Sequence, residues 1–317
     1  MNARLVVSNI LQYSGGNAVA LALQRNSLAV LCYHRVLDVG DPSRASADPA
    51  LVTSLHVFER QMEIIAQRFH PVTLSDTIRW MQGQGTLPPR SVLITFDDGV
   101  ADTYTNAFPV MKRLSIPGTV FLATGFIGTC ERHWADVAHE RAAAHSGSRA
   151  AAQALERLKR MPSARRQEYL QDMITTCDST PNLTWGQVEE MARHGFEFGS
   201  HTRNHVILPH EADDTIREEL DASAEAIELR LGRRPVAFAY PDGQFDDRAL
   251  RLVGESGCRL AFTCDEGFVS RRSDKLALPR LLMHDGVSAT PAGDFHSPVF
   301  LTYLAGTIPR RYRRTRQ

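Results

Sequence analysis

A chain of 317 residues, 43% hydrophobic and 23% charged, is long enough and apolar enough to bury a sizeable core. Its 36 basic and 36 acidic residues cancel, so bulk charge points to no nucleic-acid or membrane partner. No run approaches the roughly 18 apolar residues of a membrane span, and the five cysteines, odd in number and without a Cys-x-x-Cys pair, argue against a disulfide framework or structural zinc.

Residues 1–27 form an N-terminal segment ahead of the first strand. Its most apolar stretch, residues 18–23, is cut by Gln24-Arg25-Asn26, which makes a poor secretory leader. Cytoplasmic residence is therefore expected, with peripheral membrane contact through the termini as the further option. The last nine residues carry five arginines, suited to solvent or to an anionic lipid or polymer.

From residue 28 short apolar runs alternate with segments of helical period. Residues 28–33 (LAVLCY) read as a strand. Phe58, Met62, Ile65 and Phe69 mark one helical face behind a Ser54 cap, and Ser75 caps a second helix. Residues 91–96 (SVLITF) are a strand, 102–114 a helix and 118–124 a strand. Residues 130–180, rich in Ala, Arg and Glu, read as a helical insertion that forms one wall of a cleft or is a solvated elaboration. The alternation resumes with a helix at 184–194 stopped by Gly195, a strand at 196–200 and a helix at 213–231 stopped by Gly232. A strand at 236–240, a helix at 246–256 and strands at 259–264 and 278–283 complete it. About seven strands joined mostly by helices imply an α/β fold. Residues 28–317 are read as one domain, a barrel or near-barrel of parallel strands.

In such barrels chemistry sits at the C-terminal strand ends, and three polar clusters fall there. Thr95-Phe96-Asp97-Asp98-Gly99 closes one strand; a turn at Gly99 can bring both carboxylates to one site, although an Asp-Asp-Gly helix cap has the same sequence. Ser200-His201-Thr202-Arg203-Asn204-His205 closes another, and two histidines four apart can share a metal ion. One carboxylate and two imidazoles make three protein ligands and leave a position for water. The third cluster, Phe238-Ala239-Tyr240-Pro241-Asp242-Gly243, is a tight turn whose backbone N–H could meet an oxyanion.

In order and content these clusters resemble the NodB-homology polysaccharide deacetylases, carbohydrate esterase family four, over roughly residues 28–283. The resemblance implies a distorted (β/α) barrel that hydrolyses N-acetyl groups of N-acetylhexosamine units. Asp97 is then the catalytic base, Asp98, His201 and His205 hold a divalent metal, usually Zn²⁺ with Co²⁺ or Ni²⁺ possible, and the backbone near Asp242 donates to the oxyanion. Two departures stand out. The third motif has Ala239 where the family has the arginine that orients the base. Leu278-Pro279-Arg280 matches an exopolysaccharide-associated subgroup, which makes Arg280 the replacement. That subgroup also opens with a Tyr-His-Arg-Val-type strand, matched by Tyr33-His34-Arg35-Val36. The general acid is expected at His284, in Leu282-Met283-His284, with Asp285 as its orienting partner. Competing readings keep the scaffold but change the bond, to an O-acetyl ester or a non-sugar amide, or make the chain a non-catalytic glycan binder.

Overall fold

A computed structural model describes residues 3–170 and 181–307, with side chains undescribed at 139 and 141–152. The arginine-rich tail, Cys177 and the end of the expected insertion lie outside the described residues. In chain order the strands are β1 (Leu28–Tyr33), β2 (Arg35–Leu37), β3 (Val52–Ser54), β4 (His70–Pro71), β5 (Ser91–Phe96), β6 (Thr119–Leu122), β7 (Glu197–Ser200), β8 (Ala237–Ala239), β9 (Leu260–Glu266) and β10 (Leu278–Leu282). The helices are α1 (Ala3–Tyr13), α2 (Gly16–Leu23), α3 (Leu55–Arg68), α4 (Leu74–Met81), α5 (Phe108–Arg113), α6 (Trp134–Lys159), α7 (Ser163–Leu170), α8 (Trp185–Arg193), α9 (Asp213–Leu231), α10 (Asp247–Glu255) and α11 (Ser297–Leu304).

Seven parallel strands close on themselves in the order β1-β5-β6-β7-β8-β9-β10, with β10 returning to β1 at Leu31↔Leu281. The seven runs read as strands from the sequence are those of the ring. Closure leaves no free edge among them, and burial on both faces explains why β1 and β5 are apolar without alternation.

The pleat sorts the core into two shells. Leu28, Val30, Leu93, Phe121, Ala237, Leu260, Phe262 and Leu278 form one cluster inside the barrel, joined by Trp80 and other residues of α4. Their neighbours Ala29, Leu31, Val92, Ile94, Val120 and Leu122 belong to a second cluster with Phe58, Met62 and Ile65 of α3. Truncating a packed aromatic such as Phe262 would cost on the order of 3–5 kcal/mol.

Local differences from the sequence reading have physical causes. Ser54 occupies the N-cap of α3, but its hydroxyl donates to Asp285 Oδ2 at 2.6 Å instead of capping the helix. The second helix is capped by Thr73 in a reciprocal capping box with Asp76; the Ser75 hydroxyl donates to Glu197. The helix expected at 102–114 opens with a wide turn, residues 103–107, before α5. Pro109 has no N–H to offer the preceding turn, which favours that widening. The N-terminal segment folds as α1 and α2, which pack on α11.

Candidate active site

Period-two alternation carries the inward set of side chains up to the C-terminal rim. On β5 the inward positions run Leu93, Thr95 and then Asp97. On β10 they run Leu278 and Arg280; the same parity puts Cys32, His34 and Cys264 at the rim. The charged residues meet there. Arg280 donates from both terminal nitrogens to Asp97, at 2.7 Å to Oδ1 and 2.6 Å to Oδ2, and both side chains are buried. Arg280 Nε donates to Thr263 O at 2.9 Å, and a terminal nitrogen also reaches Thr95 Oγ1 at 3.3 Å. A planar guanidinium held at three points presents a fixed fork to the carboxylate. Burial alone would raise the Asp97 pKa; the Arg280 charge and hydrogen bonds outweigh it and bring it down to about 2. His34 Nε2 stands 3.8 Å from Asp97 Oδ2, and Cys32 Sγ donates to the same oxygen at 3.5 Å.

The next residue points elsewhere because the chain turns. Asp98 has φ 74° and Gly99 φ 80°. The positive φ favours glycine at 99, and a Cβ there would also lie 2.8 Å from Ile127 Cδ1 and 3.0 Å from Leu122 Cδ2, so those side-chain ends would have to shift. The turn sends Asp98 towards the end of β7, where its Oδ1 lies 3.4 Å from His201 Nε2 and 3.2 Å from His205 Nε2. Thr202 and His205 also have positive φ, 64° and 53°. Left-handed backbone at non-glycine residues is costly and gathers where function over-determines geometry. Four such positions, with Asp242, lie on these loops.

Three observations fit this trio to a metal ion. The three ligand atoms lie within 4.8 Å of one another. Asp98 Oδ1 is buried yet makes no hydrogen bond. His201 Nδ1 lies 2.7 Å from Ala239 O, an acceptor, so that nitrogen carries the proton and Nε2 offers its lone pair to the cluster. Neighbouring ligands around a tetrahedral ion at about 2.1 Å are roughly 3.4 Å apart, close to the 3.4 and 3.2 Å from Asp98 Oδ1 to the two imidazoles. Burial would raise the Asp98 pKa, but the two imidazoles hold it well below the ordinary carboxylate range. Burial works against charge on His201, and the Asp98 carboxylate more than offsets it.

In the third cluster Tyr240 N–H donates to Phe262 O at 2.9 Å and Gly243 N–H to Tyr240 O at 2.7 Å. Asp242 sits between them with φ 58°. Its carboxylate meets Lys159 Nζ at 2.9 Å and accepts from Gln244 Nε2 at 2.5 Å. Lys159 belongs to α6, so the insertion reaches the cleft. Trp134, Asp136, Leu155 and Lys159 line it together with Asp98, His205 and Asp242. The Trp134 indole donates to His205 O at 3.4 Å, and the Arg166 guanidinium lies 4.0 Å from its ring centre. His133, buried and stacked on Phe126, lies edge-on to His205 at 5.6 Å. Sequence reasoning assigned no role to His133, Trp134, Asp136 or Lys159. Alternating helical and polar residues carry no mark of the face that meets a cleft.

His284 caps the turn at Asp285–Val287, where its Nδ1 accepts from Gly286 N–H at 3.1 Å. It is not among the residues lining the cleft beside Asp98 and His205. Asp285 does not orient it. That carboxylate accepts from Ser54 N–H at 2.7 Å and the Ser54 hydroxyl, and pairs with Arg44 at 3.4 Å, fastening the rim to β3.

The sequence profile of polysaccharide deacetylases matches residues 84–261. The chain belongs to the polysaccharide deacetylase family. The match contains Asp97, Asp98, His201, His205 and Asp242, and stops before Arg280 and His284. Over 290 residues the chain is 22% identical to poly-β-1,6-N-acetyl-D-glucosamine N-deacetylase of Staphylococcus aureus, covering 84% of this chain and 81% of that protein. Its fold is similar to that of IcaB from Ammonifex degensii, with TM-score 0.61 and 23% identity over 88% of this chain and 97% of that one. It is also similar to the Streptococcus pyogenes deacetylase PplD, solved with acetate, with TM-score 0.62 and 22% identity over 83% and 94% of the two chains. The polysaccharide deacetylase is thus an amide-hydrolysing enzyme of a metal-dependent family, with a candidate Asp-His-His ligand group at the barrel mouth. Among the described residues no helix is long and apolar enough to cross a membrane.

Proposed function

We propose that this deacetylase hydrolyses the N-acetyl groups of N-acetylhexosamine units in a polysaccharide or its precursor, using a divalent metal, Zn²⁺ foremost, held by Asp98, His201 and His205. The observation that carries the reading is the juxtaposition of that trio with Asp97, a buried carboxylate kept ionised by Arg280. Bound there, the ion would polarise the acetyl carbonyl and acidify a water molecule.

The remaining work belongs to the chain. Asp97, ionised throughout the neutral range, takes the proton of the attacking water. Arg280 holds that carboxylate in place, the part that the arginine missing at Ala239 would play. The Asp242 N–H, in the turn after β8, donates to the oxyanion as negative charge develops on the carbonyl oxygen. His284 is not among the residues lining the cleft, so the proton that Asp97 takes from the water is the one passed to the leaving amine. The wall from α6, with Trp134 and Leu155, excludes water and supports a sugar ring. Acetate and the free amine leave.

The test is acetate release from N-acetylglucosamine oligomers by chelated enzyme and by enzyme with Zn²⁺ or Co²⁺ restored. Release only with metal supports the reading. Release from acetylated xylan but not from the oligomers would replace the amide with an ester substrate. Sugar binding with no release from either would make the chain a glycan binder.

A further inference from the structure

Among the described residues two groups of side chains stand as metal ligands do. One is Asp98 with His201 and His205; the other is Cys32, His34 and Asp97. The second group follows from strand register. β1 and β5 run parallel, with Cys32 opposite Thr95 and Tyr33 opposite Phe96. The Asp97 N–H donates to Tyr33 O at 3.0 Å, which carries the pairing past the strand ends. His34 and Asp97 are the next pair in register, and Cys32, two residues before His34, shares its face. A slip of one residue would turn the carboxylate away from the other two.

The distances are close to those of a ligand set. Cys32 Sγ lies 3.5 Å from Asp97 Oδ2 and 3.9 Å from His34 Nδ1, and His34 Nε2 lies 3.8 Å from the same oxygen. An ion about 2.3 Å from sulfur and about 2.1 Å from nitrogen or oxygen holds tetrahedral neighbours roughly 3.4–3.6 Å apart. A small rotation of the imidazole closes the difference. His34 and Cys264 line the cleft beside Asp98 and His205, so an ion entering the mouth meets this group without unfolding.

Charge and ligand type favour a particular class of ion. The Asp98 trio holds no sulfur; this one does, and a thiolate selects soft or borderline cations over hard ones. Arg280 donates once to each oxygen of Asp97, and each carboxylate oxygen can accept a second time. At Oδ2 that second place is taken by the Cys32 thiol. A cation can replace the thiol proton there. The proton leaves to solvent, the sulfur binds as thiolate, and its negative charge offsets the nearby guanidinium.

We infer that Cys32, His34 and Asp97 form a second, inhibitory site for a thiophilic divalent cation, Zn²⁺ itself when it exceeds what the Asp98 trio holds. A cation on Asp97 Oδ2 makes that carboxylate a weaker proton acceptor. The inhibition rests on Asp97 being the base, as proposed above; the existence of the site does not.

The experiment titrates Cd²⁺ into the full chain already loaded with one equivalent of Zn²⁺. It reads bound metal, thiolate-to-cadmium charge-transfer absorption in the ultraviolet, and acetate release. Wild type is expected to take up a further equivalent, gain the absorption band and lose activity in step with it. Cys32→Ser keeps the size of the side chain and removes the sulfur. Loss of an outer-shell partner alone costs about 10–100-fold in metal affinity, so removal of a direct ligand should raise the Cd²⁺ needed for half-saturation at least ~10-fold. The variant should also lack the band, and whatever activity it retains should resist Cd²⁺ to the same degree. His205→Ala, which disturbs only the other trio, should keep the band. No band in wild type, a band that Cys32→Ser retains, or a band that forms without inhibition of an active preparation would each overturn the inference. If no preparation releases acetate, the hydrolytic reading fails by itself, and the band with its loss in Cys32→Ser still decides the site.

Discussion

Arg280 and Asp97, 183 residues apart in sequence, share two hydrogen bonds of 2.7 and 2.6 Å at the bottom of the barrel mouth. A bidentate, fully buried pair of this kind is far from neutral to cut. Removing the guanidinium leaves a buried carboxylate without a countercharge, at a cost of about 3–5 kcal/mol. Arg280→Met is therefore expected to lower the melting temperature strongly. Arg280→Lys, which keeps the charge but loses the fork, should fall between the two. Thermal unfolding of the three proteins decides this, and equal stabilities would remove the pair from the architecture.

The same pair sets a pH dependence. The folded Asp97 pKa, about 2, lies below the ordinary aspartate value of about 3.9. A depressed carboxylate stabilises the fold fully above the unfolded value, and the contribution fades as pH falls towards the folded one. In Arg280→Met, burial is no longer opposed by that charge, so the Asp97 pKa rises. The acid limb of kcat/KM should then move to higher pH than in wild type. An unmoved limb in a folded, metal-loaded variant would mean that Arg280 does not keep Asp97 ionised.

The two aspartates are expected to separate under mutation. Asp97→Asn leaves Asp98, His201 and His205 intact, so metal should remain while turnover falls by 10²-fold or more. His205→Ala removes one of the three proposed ligands and should sharply reduce metal content. Elemental analysis and acetate release, on the same preparations, read both. Loss of metal from Asp97→Asn would exchange the roles of the two carboxylates.

Much of this arrangement was legible in the sequence. The seven ring strands were readable because parallel strands buried on both faces are unbroken apolar runs, and the polar groups that end them gather at one rim of the barrel. Arg280 was readable from Leu278-Pro279-Arg280. What the sequence hid was direction. Nothing in the order Asp97-Asp98 shows that a left-handed turn at Asp98 aims the two carboxylates at different partners. Nothing in 130–180 shows that Trp134 and Lys159 face the cleft, because helical period identifies a face and not what covers it. Asp285 looked like a partner for His284 because it is adjacent, whereas tertiary contact gives it to Ser54.

Gly99 offers a test of that turn. Alanine there must hold φ near 80° and place a methyl 2.8 Å from Ile127 Cδ1. Gly99→Ala should cost on the order of 1–3 kcal/mol of stability. By swinging Asp98 it should also weaken metal binding, measured by competition with a chelating dye. Wild-type metal affinity in the variant would show that Asp98 is aimed by something other than this turn.

Lys159 joins the insertion to the chemistry. Its ammonium, 2.9 Å from Asp242 Oδ1, holds the one turn after β8 whose backbone is proposed to meet the oxyanion, and it comes from a helix outside the barrel. A methionine keeps most of the stem that packs along the cleft but loses the charge. Lys159→Met should lower kcat by about tenfold, with metal content unchanged and KM little affected, because the contact matters as charge develops in the transition state. Lys159→Arg should restore part of the loss. A variant whose KM rises at constant kcat would make Lys159 a substrate contact. Unchanged kinetics would leave the ion pair as a fastening of the insertion alone.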